Sequence, residues 1–423
     1  MTGVGTEVEF PGDLASTAAA YFGAEDLADL SRAVRKRPVV LFFGRPSHAG
    51  DTGAFSDNSK YVYLRAAAAS RGYDVVWCTA DGKLAGTLRE RGLPVHHLGA
   101  DTDATVDLLL HAAVAVFTVH PHDTLYNSRE LTACLAGATK IQLWHGVSVK
   151  QLVLQLLPHL GVQDGIRRAH WLSSTRCDYA LSTASFFDDF WSRTFGTPNL
   201  LRAGQPRNAV LVADPAAEAY LGAELPAPVR AAIESDRPVV LLVPTWQRNK
   251  ATALLEPKFL EETIQFAVRN DAHVIFKAHP SLGGLQSADS VDRLHVIDPS
   301  LDIYPWMSRI SALVTDYSSI MFDFLLTGKP VLTLDLEPGE HEDFEPDYSL
   351  VPPGEFRIPF TVGDFAAKLE RALGDDTGRA ARTAYAEKIF ETDPGAAPDD
   401  VLQLVDRLVE DATRPAYRVW SAR

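Results

Sequence analysis

Short, uninterrupted runs of Val, Ile, Leu and Phe recur along this chain, and segments with helical spacing separate them. Apolar runs of this kind are typical of parallel strands that helices cover on both faces. In the first half they lie at residues 39–43, 74–78, 113–119, 140–144 and 179–182. In the second half they lie at residues 239–244, 273–277, 294–297, 312–315 and 331–334. The pattern predicts an α/β protein with two doubly wound, Rossmann-like domains that face each other across a cleft.

A stretch rich in Ala and Pro, residues 214–238, separates the two sets of strands, and four prolines interrupt regular structure within it. Because 423 residues exceed the usual size of one hydrophobic core, we predict domains at 1–230 and 231–423. The composition of residues 214–238 predicts few contacts with either domain. We therefore expect this stretch to act as a hinge.

Helical spacing also marks the two ends of the chain. Residues before about 36 predict one or two leading helices, and residues 364–373 and 399–408 predict closing helices. We expect a closing helix to pack back on the first domain.

Charge and cysteine content limit the classes of function. The formal charge of −15 excludes a non-specific nucleic-acid binder, so no nucleic-acid partner is expected, and an acidic substrate must be held by local cations. Cys78, Cys134 and Cys177 are few and widely spaced, which predicts neither a disulfide framework nor a zinc site. A reducing, cytoplasmic location fits this pattern.

No apolar run reaches the roughly 18–20 residues that a membrane span requires, and the first thirty residues lack the pattern of a secretion signal. Residues 152–160 are the one apolar stretch outside the strand pattern, and they could contact a membrane surface or be buried in the core. We predict a soluble protein that could be peripheral at the inner face of the membrane.

One strand-to-helix turn has the residues of a phosphate site. Asp316, Ser318 and Ser319 lie between a predicted buried strand and a short apolar helix that ends at Gly328. Such a turn presents unpaired amides, the positive end of a helix and two hydroxyl groups, all of which suit a phosphate. Capping of the helix is the alternative, because the same residue types are selected for capping alone.

Polar side chains follow four of the predicted strands, where ligands bind in sheets of this type. They are His145 and Lys150; Thr245, Trp246, Arg248 and Lys250; Lys277 and His279; and Asp316, Ser318 and Ser319. A single histidine is more often structural than functional. Two histidines at strand ends in different domains favour a functional cleft instead.

Six short motifs occur in a consistent order between residues 38 and 340. They are Asp57-Asn-Ser-Lys-Tyr61, Trp144-His-Gly146 with Lys150, Gly204-Gln-Pro-Arg-Asn208, Pro244-Thr-Trp246, Lys277-Ala-His-Pro280, and Thr315-Asp-Tyr-Ser-Ser319 with Phe322-Asp323. Together they resemble the CDP-glycerol glycerophosphotransferase family, which includes the wall teichoic acid primases and polymerases. Each motif is weak alone, whereas their shared order is specific.

The resemblance implies a GT-B architecture and the transfer of glycerol or ribitol phosphate from a CDP-activated donor to an acceptor hydroxyl, with release of CMP. The expected setting is the synthesis of a teichoic-acid-like or capsule polymer, with a lipid-linked or glycan acceptor and contact with a membrane surface. The donor then belongs to residues 231–423 and the acceptor to residues 1–230.

The resemblance also implies roles for individual residues. His145 is the candidate base, and His279 is assigned to the donor pyrophosphate. The remaining donor-binding residues are Thr245, Trp246, Arg248, Lys277, Asp316, Ser318 and Ser319. The candidate acceptor or phosphate contacts are Asn58, Lys60, Lys150 and Arg207.

Some positions depart from the family pattern, and two other functions stay open. Gln247, Val147-Ser148 and Ala209 stand where the family often has Arg, Thr-Pro and Asp, which leaves donor identity and acceptor pose open. The alternatives are a sugar-nucleotide glycosyltransferase on the same fold and a non-catalytic donor-binding partner. The chain lacks an Asp-x-Asp at a strand end and a His or Cys cluster, so we expect no cofactor and a phosphate site without metal, although a divalent ion is not excluded.

Overall fold

The computed structural model describes residues 23–45, 54–125, 128–150, 176–245, 253–277, 291, 293–335 and 347–414. Their strands form two separate sheets. The first contains β1 Val39–Phe43, β2 Asp74–Thr79, β3 Val95–His97, β4 Val114–Phe117, β5 Thr139–Gln142, β6 Tyr179–Ser182 and β7 Leu200–Arg202. The second contains β8 Val239–Val243, β9 His273–Lys277, β10 Leu294–Ile297, β11 Ala312–Thr315, β12 Val331–Leu334 and β13 Ile358–Phe360.

Helices connect the strands within these ranges. In chain order they are α1 Ala24–Ala33, α2 Asp57–Ala67, α3 Gly82–Glu90, α4 Thr102–His111, α5 Pro121–Thr124, α6 Arg129–Cys134, α7 Asp188–Phe195, α8 Ala209–Val212, α9 Ala227–Ile233, α10 Pro257–Arg269, α11 Tyr304–Met307, α12 Ile320–Phe324, α13 Phe365–Gly374, α14 Arg379–Ile389 and α15 Ala397–Thr413.

The first sheet is parallel throughout, with the strand order β3-β2-β1-β4-β5-β6-β7. Its central strand β1 is buried along four of its five residues, as a strand covered on both faces must be. The chain reverses its winding direction between β1 and β4. In sheets of this type a ligand binds at the carboxyl edge beside such a reversal.

The second sheet is also parallel, with the order β10-β9-β8-β11-β12-β13. Its winding direction reverses between β8 and β11, where Leu241 pairs with Leu313. Two doubly wound sheets confirm the predicted fold class. Three short edge strands, β3, β7 and β13, were not predicted, because each has only three residues and is only partly buried.

The last described helix, α15, packs on the first domain as expected. Val401 and Val405 are fully buried in the core of the first sheet. Exposed ion pairs join Arg65 of α2 to Asp399 of α15, with 2.8 Å between Nε and Oδ1. The chain therefore crosses back from the second sheet to the first near its described end.

The stretch at residues 214–238 is packed rather than loose, so the expectation of few contacts is wrong. The carbonyl of Ala219 accepts a hydrogen bond from Lys60 Nζ at 2.7 Å, and that of Ala223 accepts one from Trp306 Nε1 at 2.7 Å. Gly222 has φ +74°, and a Cβ there would lie 2.6 Å from the Phe55 carbonyl oxygen. Small residues let this stretch fill the space between the two sheets.

None of the helices in the described ranges is both long enough and apolar enough to cross a bilayer.

Candidate active site

A cavity of about 280 Å³ lies between the carboxyl edges of the two sheets. The first domain contributes Arg45, Asp57, His145, Gly146, Lys150 and Arg207 to its wall, and the second contributes Thr245, Lys277, Asp302, Tyr304, Tyr317, Ser318 and Ser319. The loops that follow the strands at both winding reversals therefore meet at one place. The structure brings together residues that the sequence places up to 274 positions apart, by 319 minus 45.

A tight turn after β5 aims His145 into this cavity. The amide of Trp144 donates to the Gln142 side chain at 2.9 Å, and Trp144 has a left-handed backbone, with φ +55°. That conformation is costly for a residue other than glycine, and such strain is common at functional sites. The His145 ring packs against the indole, with 4.1 Å between ring centroids.

The electrostatic surroundings keep His145 neutral. Burial lowers its pKa well below the usual value, and the positive charges of Arg45 and Arg207 lower that pKa further. Its Nδ1 lies 3.4 Å from the Thr118 carbonyl oxygen. With Nδ1 donating to that oxygen, Nε2 is left unprotonated. His145 can therefore accept a proton at neutral pH.

Gly146 is the point where the two domains touch beside the base. Its φ is +126°, and a Cβ there would lie 2.8 Å from Arg207 Nη2 and 2.9 Å from Ser319 Oγ. The Ser319 hydroxyl itself lies 3.5 Å from the His145 carbonyl oxygen. A glycine at this position allows the loop of the first sheet to lie directly on the serine turn of the second.

The serine turn is held by Asp316. This buried carboxylate accepts hydrogen bonds from the amide of Thr245 at 2.9 and 3.0 Å, from the Thr245 hydroxyl, and from the amide of Tyr317 at 2.7 Å. Ser319 is the N-cap residue of α12, yet its side chain makes no capping bond. Ser318 and Ser319 are partly exposed and line the cavity. Asp316 and Thr245 thus fix the turn without a capping bond from Ser319, and the phosphate site stays a prediction.

Besides Arg207, three cations line the cavity: Arg45, Lys150 and Lys277. Burial lowers the pKa of Lys150 and of Lys277 to about 8, although Asp316 and Asp302 oppose the shift. Lys150 Nζ lies 4.5 Å from the centroid of the Tyr317 ring, and Lys277 Nζ donates to the Pro299 carbonyl. Among the described residues, no carboxylate forms a salt bridge with any of the three. The site is therefore locally positive in a chain of net charge −15.

Arg207 is buried in the wall of the cavity and holds several groups at once. It donates to Asp57 Oδ1 and Asp323 Oδ2, each at 2.6 Å, and to the His145 carbonyl oxygen at 2.9 Å. The Asp323 carboxylate also accepts from the Tyr304 hydroxyl at 2.6 Å. Because its charge is already neutralised by two carboxylates, Arg207 serves to align the base with the second domain.

Asn58 and Lys60 do not line the cavity, and both side chains are fully buried. Asn58 Nδ2 donates to the Trp144 carbonyl oxygen at 2.8 Å. Lys60 Nζ lies 2.8 Å from Asp302 Oδ2, and the Tyr61 hydroxyl donates to the same oxygen at 2.7 Å. The structure gives Asn58 a structural role within the first domain and Lys60 one across the domain contact, in place of the acceptor contacts that the sequence suggested.

Four of the predicted residues have no described position, and one cation of the cavity was not predicted. Trp246, Arg248, Lys250 and His279 lie outside the described residues, so their roles stay predictions. Arg45 was missed, although it lies two residues after the end of β1 and the same strand-end argument applies to it. Within the described ranges, no three His, Cys, Asp or Glu side chains form a cluster that could hold a metal ion.

Two parallel α/β domains that enclose a cationic cavity, with a neutral histidine beside a serine turn, define a GT-B-type transferase for a phosphate-bearing donor. The family model for "CDP-Glycerol:Poly(glycerophosphate) glycerophosphotransferase" matches residues 31–407. The chain therefore belongs to this family. Membership confirms the predicted enzyme class, the transfer of a polyol phosphate from a CDP-activated donor, against the two alternatives.

Known relatives and a solved structure agree with this result. A teichoic acid glycerol-phosphate transferase of Staphylococcus aureus (strain NCTC 8325 / PS 47) is 26% identical over 287 residues, which are 63% of this chain and 71% of the relative. A teichoic acid poly(glycerol phosphate) polymerase of Staphylococcus epidermidis is 24% identical over 202 residues, 45% of this chain and 28% of the polymerase. The solved wall teichoic acid polymerase TagF superposes with a TM-score of 0.66 at 18% identity, covering 94% of this chain and 96% of that one, and it shows the shared fold.

Proposed function

We propose that this chain transfers glycerol phosphate from CDP-glycerol to a terminal hydroxyl of a poly(glycerol phosphate) acceptor, in teichoic acid synthesis. The acceptor oxygen forms a bond to the second phosphorus of the donor, the bond from that phosphorus to the bridging oxygen breaks, and CMP leaves. The observation that carries the proposal is the contact of His145 in the first domain with the Ser318-Ser319 turn of the second, across one cationic cavity.

His145 takes the proton of the attacking hydroxyl. Its depressed pKa leaves the imidazole unprotonated at neutral pH, so the base is ready before the acceptor binds. The hydrogen bond from Arg207 to the His145 carbonyl oxygen fixes the main chain that carries the ring. The base therefore keeps its position relative to the donor site.

Negative charge on the departing CMP is stabilised from both domains. Ser318 and Ser319 supply hydroxyl donors, and Lys277 and Lys150 supply positive charge. Preorganised donors and cations of this kind are most effective where charge develops during the reaction. We assign His279 to the donor pyrophosphate as well, and Trp246 and Arg248 to the donor, as the sequence predicts.

We further propose that the acceptor is carried by a lipid and that the chain works at the inner face of the membrane. The apolar stretch at residues 152–160 supports this placement, and it lies outside the described residues. Sedimentation of the chain with vesicles that contain an anionic lipid tests the proposal. Absence of the chain from the vesicle pellet at low salt contradicts it.

The function is tested with a panel of donors: CDP-glycerol, CDP-ribitol and two nucleotide sugars. Each is incubated with the chain and with poly(glycerol phosphate), and the elongated product is detected by mass spectrometry. We expect extension with CDP-glycerol and none with the nucleotide sugars. Extension by a sugar alone overturns the proposal, and extension by ribitol phosphate corrects the polyol.

A further inference from the structure

Arg45 occupies the ligand-binding edge of the first sheet. It follows the central strand β1, which lies between β2 and β4 where the winding direction of the sheet reverses. Gly44 pins the main chain just before it, because a Cβ there would lie 2.5 Å from the Ala54 carbonyl oxygen and 2.6 Å from the Trp77 ring. An antiparallel bridge between Arg45 and Ala54 fixes the next residue. The main chain is thus held in place at Arg45, which lines the cavity.

The charge of Arg45 is left unneutralised by the described residues. Asp57 is the carboxylate that acts on it, and that group already bonds to Arg207 with 2.6 Å between Oδ1 and Nη1. The positive charge of Arg45 acts on His145, Lys150 and Lys277 alike. Arg45 lines the same cavity as the base and both lysines.

We propose that Arg45 binds the phosphoryl group that is being transferred, on the side opposite to the Ser318-Ser319 turn. This inference rests on the proposed function. His145 must lie next to the hydroxyl that attacks phosphorus, and Arg45 lines the same cavity from the same sheet. A guanidinium presents two parallel N–H donors, which match two non-bridging phosphate oxygens.

The placement predicts a role in the chemical step more than in holding the nucleotide. The serine turn and Lys277 belong to the second domain, where the CMP part of the donor is expected to lie. Arg45 approaches from the first domain and stays protonated throughout, because the proton of the acceptor goes to His145. Its contacts strengthen while phosphorus carries bonds to both the attacking and the departing oxygen.

Arg45→Ala is the decisive variant, and Arg37→Gln is its matched control. The two arginines stand at opposite ends of β1, and Arg37 pairs with Asp107 on the exposed surface, far from the cavity edge. The rate of CMP release from CDP-glycerol is measured with poly(glycerol phosphate) and, separately, with glycerol as acceptor. CMP binding is measured by calorimetry.

We expect kcat of Arg45→Ala to fall roughly 100-fold or more with both acceptors, the scale of one lost charge-stabilising donor, while the Kd for CMP changes less than about 3-fold. Added guanidinium ion should restore part of the activity to Arg45→Ala and none to His145→Ala. Arg37→Gln should match the parent chain. Arg45→Lys keeps the positive charge but loses the two parallel N–H donors. Its kcat should therefore lie between that of Arg45→Ala and that of the parent chain.

Removal of Arg45 should also change the pH profile. The charged and polar groups that face His145 from the elements packed on it are Arg45, Arg207, His120 and the Thr118 carbonyl oxygen. Losing one of two cations raises the pKa of the base, so the acid limb of kcat/KM moves to higher pH in Arg45→Ala. A residue that only supports the fold would leave that limb in place.

The remaining outcomes distinguish failure of this inference from failure of the proposed function. If the parent chain releases CMP and Arg45→Ala keeps kcat within about 3-fold, the inference is wrong and the proposed function stands. If the loss occurs with poly(glycerol phosphate) but not with glycerol, Arg45 binds a phosphate of the acceptor, which also overturns it. If the parent chain releases no CMP from CDP-glycerol, the proposed function fails first. Should Arg45→Ala not fold, Arg45→Lys with unchanged kcat counts against the inference.

Discussion

Arg207 and Asp323, which are 116 residues apart in the sequence, form a buried ion pair with 2.6 Å between Nη2 and Oδ2. One belongs to the loop after the first sheet and the other to helix α12 of the second. The same guanidinium donates to the His145 carbonyl oxygen. The position of the base is therefore coupled directly to the position of the serine turn, and the two domains meet as a fitted contact.

Loss of Arg207 should destabilise the protein strongly. Arg207→Met leaves the buried Asp57 and Asp323 without their ion-pair partner, which typically costs about 3–5 kcal/mol of unfolding free energy. Urea denaturation measures the loss. Arg32→Met is the control, because Arg32 forms an exposed pair with Asp29 that should contribute less than about 1 kcal/mol. Equal losses for the two variants would contradict the role given to Arg207.

His145→Ala should lower kcat by roughly 100-fold or more, the usual scale for a lost general base. In the parent chain the unprotonated ring is the active form, and its pKa lies well below the usual 6.5. Activity should therefore persist as the pH falls below 6.5 and decline only at the lower pKa of the base. A kcat/KM profile measured from pH 4 to 8 tests whether the pKa of the base is lowered. An acid limb centred above pH 6.5 would place the base elsewhere.

The double variant Ser318→Ala with Ser319→Ala should weaken donor binding and spare stability. Each hydroxyl supplies about 1 kcal/mol net, and more when the oxygen it meets is charged. The Ser319 side chain does not cap α12, and Asp316 holds the turn independently. Calorimetric binding of CDP-glycerol and the thermal midpoint are measured on the same sample. A lowered midpoint with unchanged affinity would show that the serines are structural.

His120→Phe should make stability less dependent on pH. The His120 ring is 8% exposed, both its nitrogens lack hydrogen-bond partners among the described residues, and burial lowers its pKa to about 4. Between pH 6.5 and 4 the unfolded chain binds a proton that the folded chain does not, so stability falls as pH falls. The loss is on the order of 3 kcal/mol.

Phe fits the same surroundings, because His120 packs against the rings of Trp144 and Phe195. Urea denaturation at pH 7 and at pH 4.5 compares the two proteins. The variant should lose less stability on acidification than the parent chain. An equal loss in both would show that His120 is not the group responsible.

The fold could be predicted to a large extent because strand burial is a local property of the sequence. The run at 239–244 was predicted, and β8 spans Val239–Val243. The same local pattern places His145 and the serine turn at strand ends. Edge strands such as β13 cannot be predicted in this way, because three partly buried residues give little periodic signal.

Long-range pairing could not be predicted in this way. The sequence suggests Lys60 as a phosphate contact. In the structure Asp302, 242 residues away, neutralises it in the core. The packing of residues 214–238 depends likewise on Trp306, which no composition argument identifies. Arg45 differs from these residues, because its position after β1 can be recognised from the sequence alone. The strand-end argument would have identified it.

Phosphoryl transfer between the two domains breaks a defined bond of the donor, and an isotope label identifies that bond. The chain is incubated with poly(glycerol phosphate) and CDP-glycerol that carries a radioactive phosphorus next to the glycerol, and the products are separated. We expect unlabelled CMP, with the label in the lengthened polymer, and the loss of both signals in His145→Ala. Labelled CDP, with glycerol transferred free of phosphate, would contradict phosphoryl transfer between the two domains.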